Sequence, residues 1–299
     1  MELRGMCSPS EDLDVAELRV GVLGARSLVG ECLLPLFREA GWRVRAFSRQ
    51  TVESGAGVAW RRLPLTEGVE DIPHWICVAP IWVLPDYLAL IEASGARRVV
   101  TLSSTSQFRK FGSGDTAEIA IAAKLIDGEA RVQAWAESCG VEWVILRPTL
   151  IYGLGRDNNI SEIARLIRLF GFFPVLGRAQ GLRQPIHAED VAAACISALE
   201  APDAANRAYN ISGGDTLTYR EMVARVFHAL SRRPRLLAVP LWVFRLVVAV
   251  LRLLPRYRQW SPAMVERMNL DFVFDHTNAT RDLKFIPRPF KLTPEDLPN

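Results

Sequence analysis

Three small residues near the start of the chain have the spacing of a phosphate-binding turn. Gly24, Ser27 and Gly30 follow the apolar run 18–23, which predicts a buried strand, and lead into a predicted helix over about 28–40. A helix N-terminus placed after a strand presents free backbone N–H groups and a positive dipole end, which suit a diphosphate. Gly24 would form the tight turn, and Gly30 would let the helix pack close to the strand.

The middle position of this turn departs from the dinucleotide fingerprint. Ser27 stands where the fingerprint has a second glycine, which lets the backbone approach a pyrophosphate. A serine still offers N–H and O–H donors, although its Cβ requires space. We therefore predict a dinucleotide site here, and an ordinary surface turn between a strand and a helix is the alternative.

The end of the next predicted strand, 41–49, indicates which dinucleotide is preferred. It lies about 20 residues after the glycine turn, where a site that prefers NAD has an acid for the ribose 2′-hydroxyl. This chain has Ser48 and Arg49 there. A guanidinium binds a 2′-phosphate through charge-assisted hydrogen bonds, so the sequence favours NADP, with NAD as the second choice.

Composition excludes several other classes of protein. The 299 residues are 49% hydrophobic and 23% charged, which is ordinary for a globular chain with one large or two modest domains. The net charge of +3 is dispersed, so we expect no nucleic-acid partner. Five cysteines without CxxC spacing and four histidines without ligand spacing predict free thiols in a reducing compartment and no metal site. The acidic stretch 1–17 lacks an apolar run, so we interpret it as a frayed extension rather than a signal peptide.

Predicted strands and helices alternate from residue 18 to the proline that ends the run 140–148. This alternation predicts an α/β fold, a Rossmann-like doubly wound parallel sheet with right-handed crossovers. We assign 18–150, with about 184–200, to this domain. Residues 151–183 and 201–299 are assigned to a smaller C-terminal substrate lobe that closes over the carboxyl ends of the strands.

Six short motifs, in a fixed order, carry a resemblance to a known family. On these motifs the chain resembles the extended short-chain dehydrogenases/reductases, the NAD(P)-dependent epimerase/dehydratase group, from residue 18 to about 290. The motifs are specific to this superfamily but not to one reaction. They are GARSLVG at 24–30, LSST at 102–105, LRPTLIYG at 146–153, RQPIHAED at 183–190, AYNISGG at 208–214 and DHTNATRDL at 275–283.

The resemblance implies a set of cofactor contacts along the carboxyl edge of the sheet. The glycine turn would hold the pyrophosphate, the end of the second strand would hold the adenosine end, and two later strand ends would complete the site. The residues are Gly24, Ala25, Arg26, Ser27, Leu28, Val29, Gly30, Ser48, Arg49, Ala79 and Ser103.

The resemblance also implies a hydride exchange between a nicotinamide and a sugar carbon. In the family a Ser or Thr, a tyrosine acid/base and a lysine assist it, and the last two stand as Tyr-x-x-x-Lys on one helix face. Thr105 occupies the hydroxyl position, and Lys124 lies in the expected helix. However, Ala120 precedes Lys124 by four residues, and no Tyr-x-x-x-Lys occurs in the sequence. Counting back from Gly140 and Arg147 aligns Glu129 with a glutamate that the family has on this helix. This alignment puts Leu125 at the position of the family's lysine. Lys124 then lies about 100° around the helix from that position.

Three alternatives follow from the missing pair. In the first, another group supplies the proton, with Tyr152, Lys110 or a water held by Thr105 as candidates. In the second the reaction needs weaker acid catalysis, and in the third the site binds a dinucleotide without turning it over. For Tyr152, the alternative is a packing side chain below the cofactor.

Two arginines are the candidate substrate ligands. The resemblance implies that Arg183 pairs with a substrate diphosphate, and the alternative is a structural pairing with Asp190 or another acid. Arg267 would form a second phosphate contact. His187 and Asp190 are interpreted as a packed imidazole and a helix-start carboxylate, and Leu150 replaces an asparagine that the family often has.

The segment 240–260 combines a long apolar run with arginines. The run 241–254 is too short to span a bilayer, which takes about 20 residues. Arg245 and Arg252 are seven residues apart and share one helix face, so the segment could lie in a membrane interface; a core helix of the smaller lobe is the alternative. We accordingly predict a cytoplasmic protein, peripheral on the inner face of the membrane if this segment binds lipid.

These observations predict an NAD(P)-dependent oxidoreductase or epimerase that acts on a nucleotide-activated or lipid-linked sugar. The alternative is an NADP-binding protein without turnover, used in assembly, redox sensing or membrane scaffolding. The retained Thr105 and Arg183 favour the first, and the missing tyrosine favours the second.

Overall fold

A computed structural model describes residues 18–51, 57–64, 70–110, 116–243 and 267–298. The strands are β1 (Arg19–Leu23), β2 (Arg43–Ser48), β3 (Val58–Arg62), β4 (His74–Cys77), β5 (Arg98–Leu102), β6 (Glu142–Pro148), β7 (Ile151–Tyr152), β8 (Phe173–Leu176), β9 (Leu182–Arg183), β10 (Ile186–His187), β11 (Arg207–Ile211), β12 (Leu217–Thr218) and β13 (Leu236–Val239). The helices are α1 (Leu28–Glu39), α2 (Leu88–Ala93), α3 (Gln107–Lys110), α4 (Thr116–Cys139), α5 (Ile160–Phe170), α6 (Ala188–Glu200), α7 (Tyr219–Ala229) and α8 (Thr277–Leu283).

The central sheet has the order β11-β6-β5-β4-β1-β2-β3, and all of its strand pairs are parallel. The chain runs outward from β1 to β3 and then returns to β4 on the other side of β1. The carboxyl ends of β1 and β4 therefore form the point where the winding direction reverses, which is where open α/β sheets bind ligands. The predicted doubly wound parallel sheet is confirmed.

Both faces of the sheet are covered, as a parallel sheet requires. One core cluster joins the sheet to α1, α6 and α8, with Val20 and Val22 contributing from β1. The opposite cluster joins the sheet to α4 and to a 3-10 helix, Ile81–Tyr87. Strand β1 is therefore buried on both sides, and its carboxyl end is fixed in place.

The smaller lobe has its own core, built from α5, α7 and the parallel pair β8–β13. One part of the predicted boundary is corrected by the strand order. The segment 201–299 was assigned wholly to this lobe, but β11 pairs with β6 in the central sheet, and α8 packs beside it. A strand order depends on long-range pairing, which the local pattern does not encode.

Short helices follow two of the central strands. A 3-10 helix and then α2 follow β4, and the short helix α3 follows β5. Predictions for residues 1–17 and for most of 240–260 lie outside the described residues. Within the described ranges, no helix has the length and apolar character needed to cross a membrane.

Candidate functional site

The turn between β1 and α1 is closely packed against the end of β4. Gly24 has a φ of +83°, and a Cβ on it would meet the backbone nitrogen of Ala79 at 2.5 Å. A Cβ on Gly30 would meet the carbonyl oxygens of Gly24 and Ala25 at 2.5 and 2.6 Å. Both positions therefore require glycine, because no side chain fits between the turn, the helix and the neighbouring strand.

Ser27 is the N-cap of α1. Its Oγ accepts a hydrogen bond from the Gly30 N–H at 3.1 Å, and its own N–H donates to the Gly24 carbonyl at 2.8 Å. The N–H is thus already used, which corrects the expectation that it would be free for a ligand. The Oγ–H can still donate, and the N–H groups of Leu28 and Val29 in the first turn have no acceptor within the helix. These donors fit a diphosphate.

Three arginines lie at the carboxyl ends of β1, β2 and β3. Arg26 follows β1 and donates to the Gln50 side chain, and Arg49 follows β2 with an exposed side chain. Arg62 ends β3, and the strand register pairs it with Ser48. The sequence analysis missed Arg62, because only the parallel pairing of β2 with β3 brings it to this edge. The three guanidinium groups make this edge strongly basic.

Two buried hydroxyl groups lie just beyond the end of β5. Thr105 Oγ1 donates to the Pro148 carbonyl at 3.1 Å. Ser103 Oγ is buried and has no hydrogen-bond partner among the described residues. An unpartnered buried hydroxyl is costly unless a bound molecule satisfies it. The pair therefore fits a polar group of a ligand at the carboxyl edge of the sheet.

An ion pair beneath this edge holds α4 against β6. Glu129 is buried, accepts from Gln107 Nε2 at 2.7 Å and accepts from Arg147 Nε at 2.9 Å. The Arg147 guanidinium also lies over the Phe108 ring, 5.3 Å from its centroid. These contacts fix the rotation of α4 about its axis, and hence which of its residues face the site.

Tyr152 lies in the core of the smaller lobe. Its side chain is fully buried and makes edge contacts with the rings of His187 and Phe290, at centroid distances of 5.1 and 4.9 Å. Burial raises the pKa of Tyr152, because the charged phenolate is not solvated there. No hydrogen-bond partner for its hydroxyl occurs among the described residues. This geometry favours the packing alternative over a proton donor.

The Arg183 guanidinium is hydrogen-bonded to backbone carbonyl groups. It donates to the Leu182 carbonyl at 2.8 Å, to the Leu270 carbonyl at 2.6 Å and to the Arg267 carbonyl. Burial lowers the pKa of Arg183 to about 10, so the group stays charged at neutral pH. Its contacts are structural, which favours the alternative to a phosphate clamp, although the partners are carbonyl groups rather than Asp190.

Arg267 is the more accessible of the two predicted substrate arginines. Its Nη1 lies 2.8 Å from the Glu118 carboxylate, in the first turn of α4. The structure therefore brings Arg183 and Arg267 together and adds Glu118, which the sequence analysis missed. No local signal links residues 118 and 267; their pairing depends on the tertiary fold.

His187 and Asp190 have structural partners, as predicted. His187 Nδ1 accepts from the Glu189 N–H at 3.2 Å, and Nε2 lies 2.9 Å from Asp296 Oδ1. Asp190 binds the Arg288 side chain at 2.8 Å. Among the described residues, no three His, Cys, Asp or Glu side chains are grouped so that they could hold a metal ion.

Part of the chain matches a known protein family. Residues 86–212 match the model of the NAD dependent epimerase/dehydratase family. The chain resembles this family. The resemblance predicted from the six motifs is thus confirmed, and the matched range includes Thr105 and α4.

The relatives of this chain include epimerases. A UDP-glucose 4-epimerase from Vibrio cholerae is 28% identical over 120 residues, which are 40% of this chain and 37% of that protein. The Arabidopsis thaliana NADH dehydrogenase [ubiquinone] 1 alpha subcomplex subunit 9, mitochondrial, is 23% identical over 160 residues, 50% of this chain and 40% of that protein. The alignments thus span about two fifths of either relative. The solved structure of a Bacillus cereus UDP-glucuronic acid 4-epimerase in complex with NAD has the same fold, with a TM-score of 0.65, 12% identity and 93% of each chain covered.

The acid/base pair of the epimerase/dehydratase family has no counterpart on α4. Leu125 and Glu129 are buried on the face toward the sheet, whereas Lys124 is exposed on another face. Four residues before Leu125 the helix has Ile121. Leu125 and Glu129 thus share the buried face of α4, and Lys124 lies on an exposed face. The side chain of Lys110 lies outside the described residues.

Proposed function

We propose that this chain binds a nicotinamide dinucleotide at the junction of β1 and β4 and uses it as an oxidoreductase or epimerase. The observation that carries this proposal is the turn at Gly24, Ser27 and Gly30. It is too tight for a Cβ at either glycine, and it ends in a capped helix with free N–H groups. The family match supports a nicotinamide dinucleotide rather than another phosphate ligand.

We propose NADP as the preferred form. A 2′-phosphate would lie near the carboxyl end of β2, where Arg26, Arg49 and Arg62 supply positive charge. Ser48 Oγ accepts from the Gln50 N–H at 3.1 Å, so its proton remains available to a phosphate oxygen. Arginine suits this task because its planar donors match phosphate oxygens.

The bound dinucleotide would supply the hydride chemistry, and residues of this chain would orient the substrate. Thr105 can turn its hydroxyl from the Pro148 carbonyl toward a substrate oxygen, because a hydroxyl proton rotates freely. Ser103 offers a second, unpartnered hydroxyl. Since Lys124 and Tyr152 face elsewhere, we propose that a water held by Thr105 transfers the proton.

We propose a nucleotide-activated or lipid-linked sugar as the substrate class. The Vibrio cholerae and Bacillus cereus proteins are named as UDP-sugar epimerases, and this chain is similar to the first in sequence over 120 residues and to the second in fold. We propose Arg267 as the ligand of a substrate phosphate. Its guanidinium is partly exposed and would exchange Glu118 for a substrate phosphate.

The activity is tested by incubating the chain with NADP or NAD and a UDP-sugar and following the C4 epimer by NMR. UDP-glucose, UDP-glucuronic acid and UDP-N-acetylglucosamine are the first substrates to try. We expect turnover that Thr105→Ala lowers by about 10²-fold or more. Ser138→Ala, on the exposed end of α4, is the matched control. Turnover that Thr105→Ala leaves unchanged would exclude the role proposed for Thr105.

Binding without turnover is the second candidate function. It is favoured by the exposed Lys124 and the buried Tyr152, which leave no side chain in the place of the family's acid/base. The Arabidopsis thaliana relative is named as a subunit of a larger complex, which is consistent with a binding role. Tight dinucleotide binding together with no product from any of the sugars would favour this candidate.

A further inference from the structure

One face of the smaller lobe exposes large apolar side chains. Leu169 and Phe170 end α5 with 69% and 52% of their surface exposed, and Leu237 on β13 is 49% exposed. Trp242, three residues after β13, is 68% exposed. Of these four, Phe170 and Leu237 line one groove. Exposed apolar side chains that lie together in this way mark an interaction surface.

Arginines surround these apolar side chains. A groove of about 640 Å³ lies between the end of α5, α7 and β13, and both Arg220 and Arg235 line it beside Phe170 and Leu237. Arg233 is exposed and precedes Arg235 by two residues in the chain. None of these three arginines has an ion-pair partner among the described residues. We call this surface the arginine-rimmed face; it consists of Leu169, Phe170, Leu237, Trp242, Arg220, Arg233 and Arg235.

The one acid in the groove is already used. Glu221 accepts from the Thr218 N–H and hydroxyl, both at 2.8 Å, in a capping box at the start of α7. The carboxylate keeps its negative charge, but the two arginines that line the groove outnumber its one acid. The groove lining therefore has a net positive charge next to exposed aromatic and aliphatic groups.

We propose that the arginine-rimmed face docks on the surface of an anionic lipid bilayer. Lipid phosphates would contact Arg220, Arg233 and Arg235, while Phe170 and Trp242 would enter the boundary between headgroups and acyl chains. Aromatic and aliphatic side chains combined with arginines bind such interfaces through buried apolar area and attraction to anionic headgroups. Charge complementarity selects an anionic membrane over a neutral one. The proposal does not depend on the proposed dinucleotide chemistry, since the face lies on the smaller lobe.

The proposal rests on the described residues alone. The apolar, arginine-containing run of the sequence begins at residue 241, next to this face, but residues 244–266 lie outside the described part of the chain. A second copy of the chain and a protein partner are the other occupants that the experiment must separate. The bilayer surface is preferred because its phosphates supply negative charge beside a boundary that accepts apolar side chains.

The test is co-sedimentation of the full chain with vesicles of phosphatidylcholine alone or mixed with phosphatidylglycerol. We expect binding to the mixed vesicles only, and weakening as salt is raised. The double variant Arg220→Glu with Arg235→Glu should bind at least about tenfold more weakly. Its charge-matched control is Arg38→Glu with Arg43→Glu, two exposed arginines of the other domain, which should retain binding.

The apolar half of the face is tested in the same assay. Leu237→Glu should weaken vesicle binding, whereas Ile286→Glu, at a side chain that is 86% exposed, should not. Thermal unfolding checks that each variant is folded. If the wild type does not bind vesicles but forms oligomers that Leu237→Glu abolishes, the face binds a second copy of the chain. This result would overturn the proposal. Vesicle binding that none of the face variants changes would place the membrane contact elsewhere in the chain and overturn it too.

Discussion

Arg156, in the loop after β7, donates to Glu31 in the first turn of α1, with an Nη1 to Oε1 distance of 2.5 Å. This ion pair links the smaller lobe to the helix whose N-terminus is the candidate diphosphate site. Glu31 places a negative charge near that site, and Arg156 neutralises it. Both side chains are partly exposed, so the pair contributes at most about 1 kcal/mol to stability. Its importance lies in the electrostatics of ligand binding.

We predict that Arg156→Ala weakens dinucleotide binding by about three- to tenfold, because it leaves the Glu31 carboxylate unneutralised beside a diphosphate. The double variant Arg156→Ala with Glu31→Ala should recover most of the lost affinity. Calorimetric titration measures both, and the unfolding temperature should change little. Equal affinities for the single and double variants would contradict this interpretation.

We propose that the preference between the two dinucleotides depends on Arg49. Arg49→Glu should weaken NADPH binding far more than NADH binding, since a carboxylate repels the 2′-phosphate and can accept from a 2′-hydroxyl. Arg62→Glu should shift the preference in the same direction by a smaller factor. Arg43→Glu, at the opposite end of β2, is the control and should leave the ratio of affinities unchanged. Equal losses for both dinucleotides in Arg49→Glu would contradict the assignment.

Tyr152→Phe should leave activity within about twofold of the wild type. The hydroxyl is buried and unpartnered among the described residues, so its removal leaves no group unsatisfied. Stability should be unchanged or higher by up to about 1 kcal/mol, measured by urea unfolding. A loss of activity of about 10²-fold in a normally folded variant would instead show that Tyr152 transfers the proton.

Acid should destabilise the chain through Asp296. Burial alone would raise the pKa of Asp296, but hydrogen bonds from His187 and Thr293 outweigh burial and lower it. Because the pKa of Asp296 is lower in the folded state, its ionisation stabilises the fold at pH values above the unfolded-state pKa of about 3.9. This stability is lost as the pH falls through the folded-state pKa. Asp296→Asn should therefore cost about 1–3 kcal/mol at pH 7 and show a smaller loss below about pH 4. Asp86→Asn, at an exposed position, should follow the wild-type curve.

Local sequence patterns were sufficient for several elements around the candidate site. The sequence analysis places Lys124 in a helix, and α4 spans this position. The spacing of Gly24 and Gly30 likewise predicted the tight turn between β1 and α1. These features depend on neighbouring residues, so the sequence displays them directly.

The features that sequence reasoning missed depend on distant contacts. Arg183 binds the carbonyl groups of residues 267 and 270, more than 80 positions along the chain, and Arg62 reaches the basic edge only through strand pairing. Strand β11 belongs to the central sheet through its pairing with β6, which is also a distant contact. Tyr152 has the right residue type for an acid/base, and only its burial shows that it packs in the lobe.

Calorimetric titration of the purified chain with NADPH, NADP⁺, NADH and NAD⁺ tests the central claim most directly. We predict one binding site per chain, with NADPH bound more tightly than NADH, and weaker binding of both in Ser27→Ala because that variant removes the helix cap and one donor. The absence of measurable heat with all four dinucleotides, for a chain that unfolds cooperatively, would contradict the account.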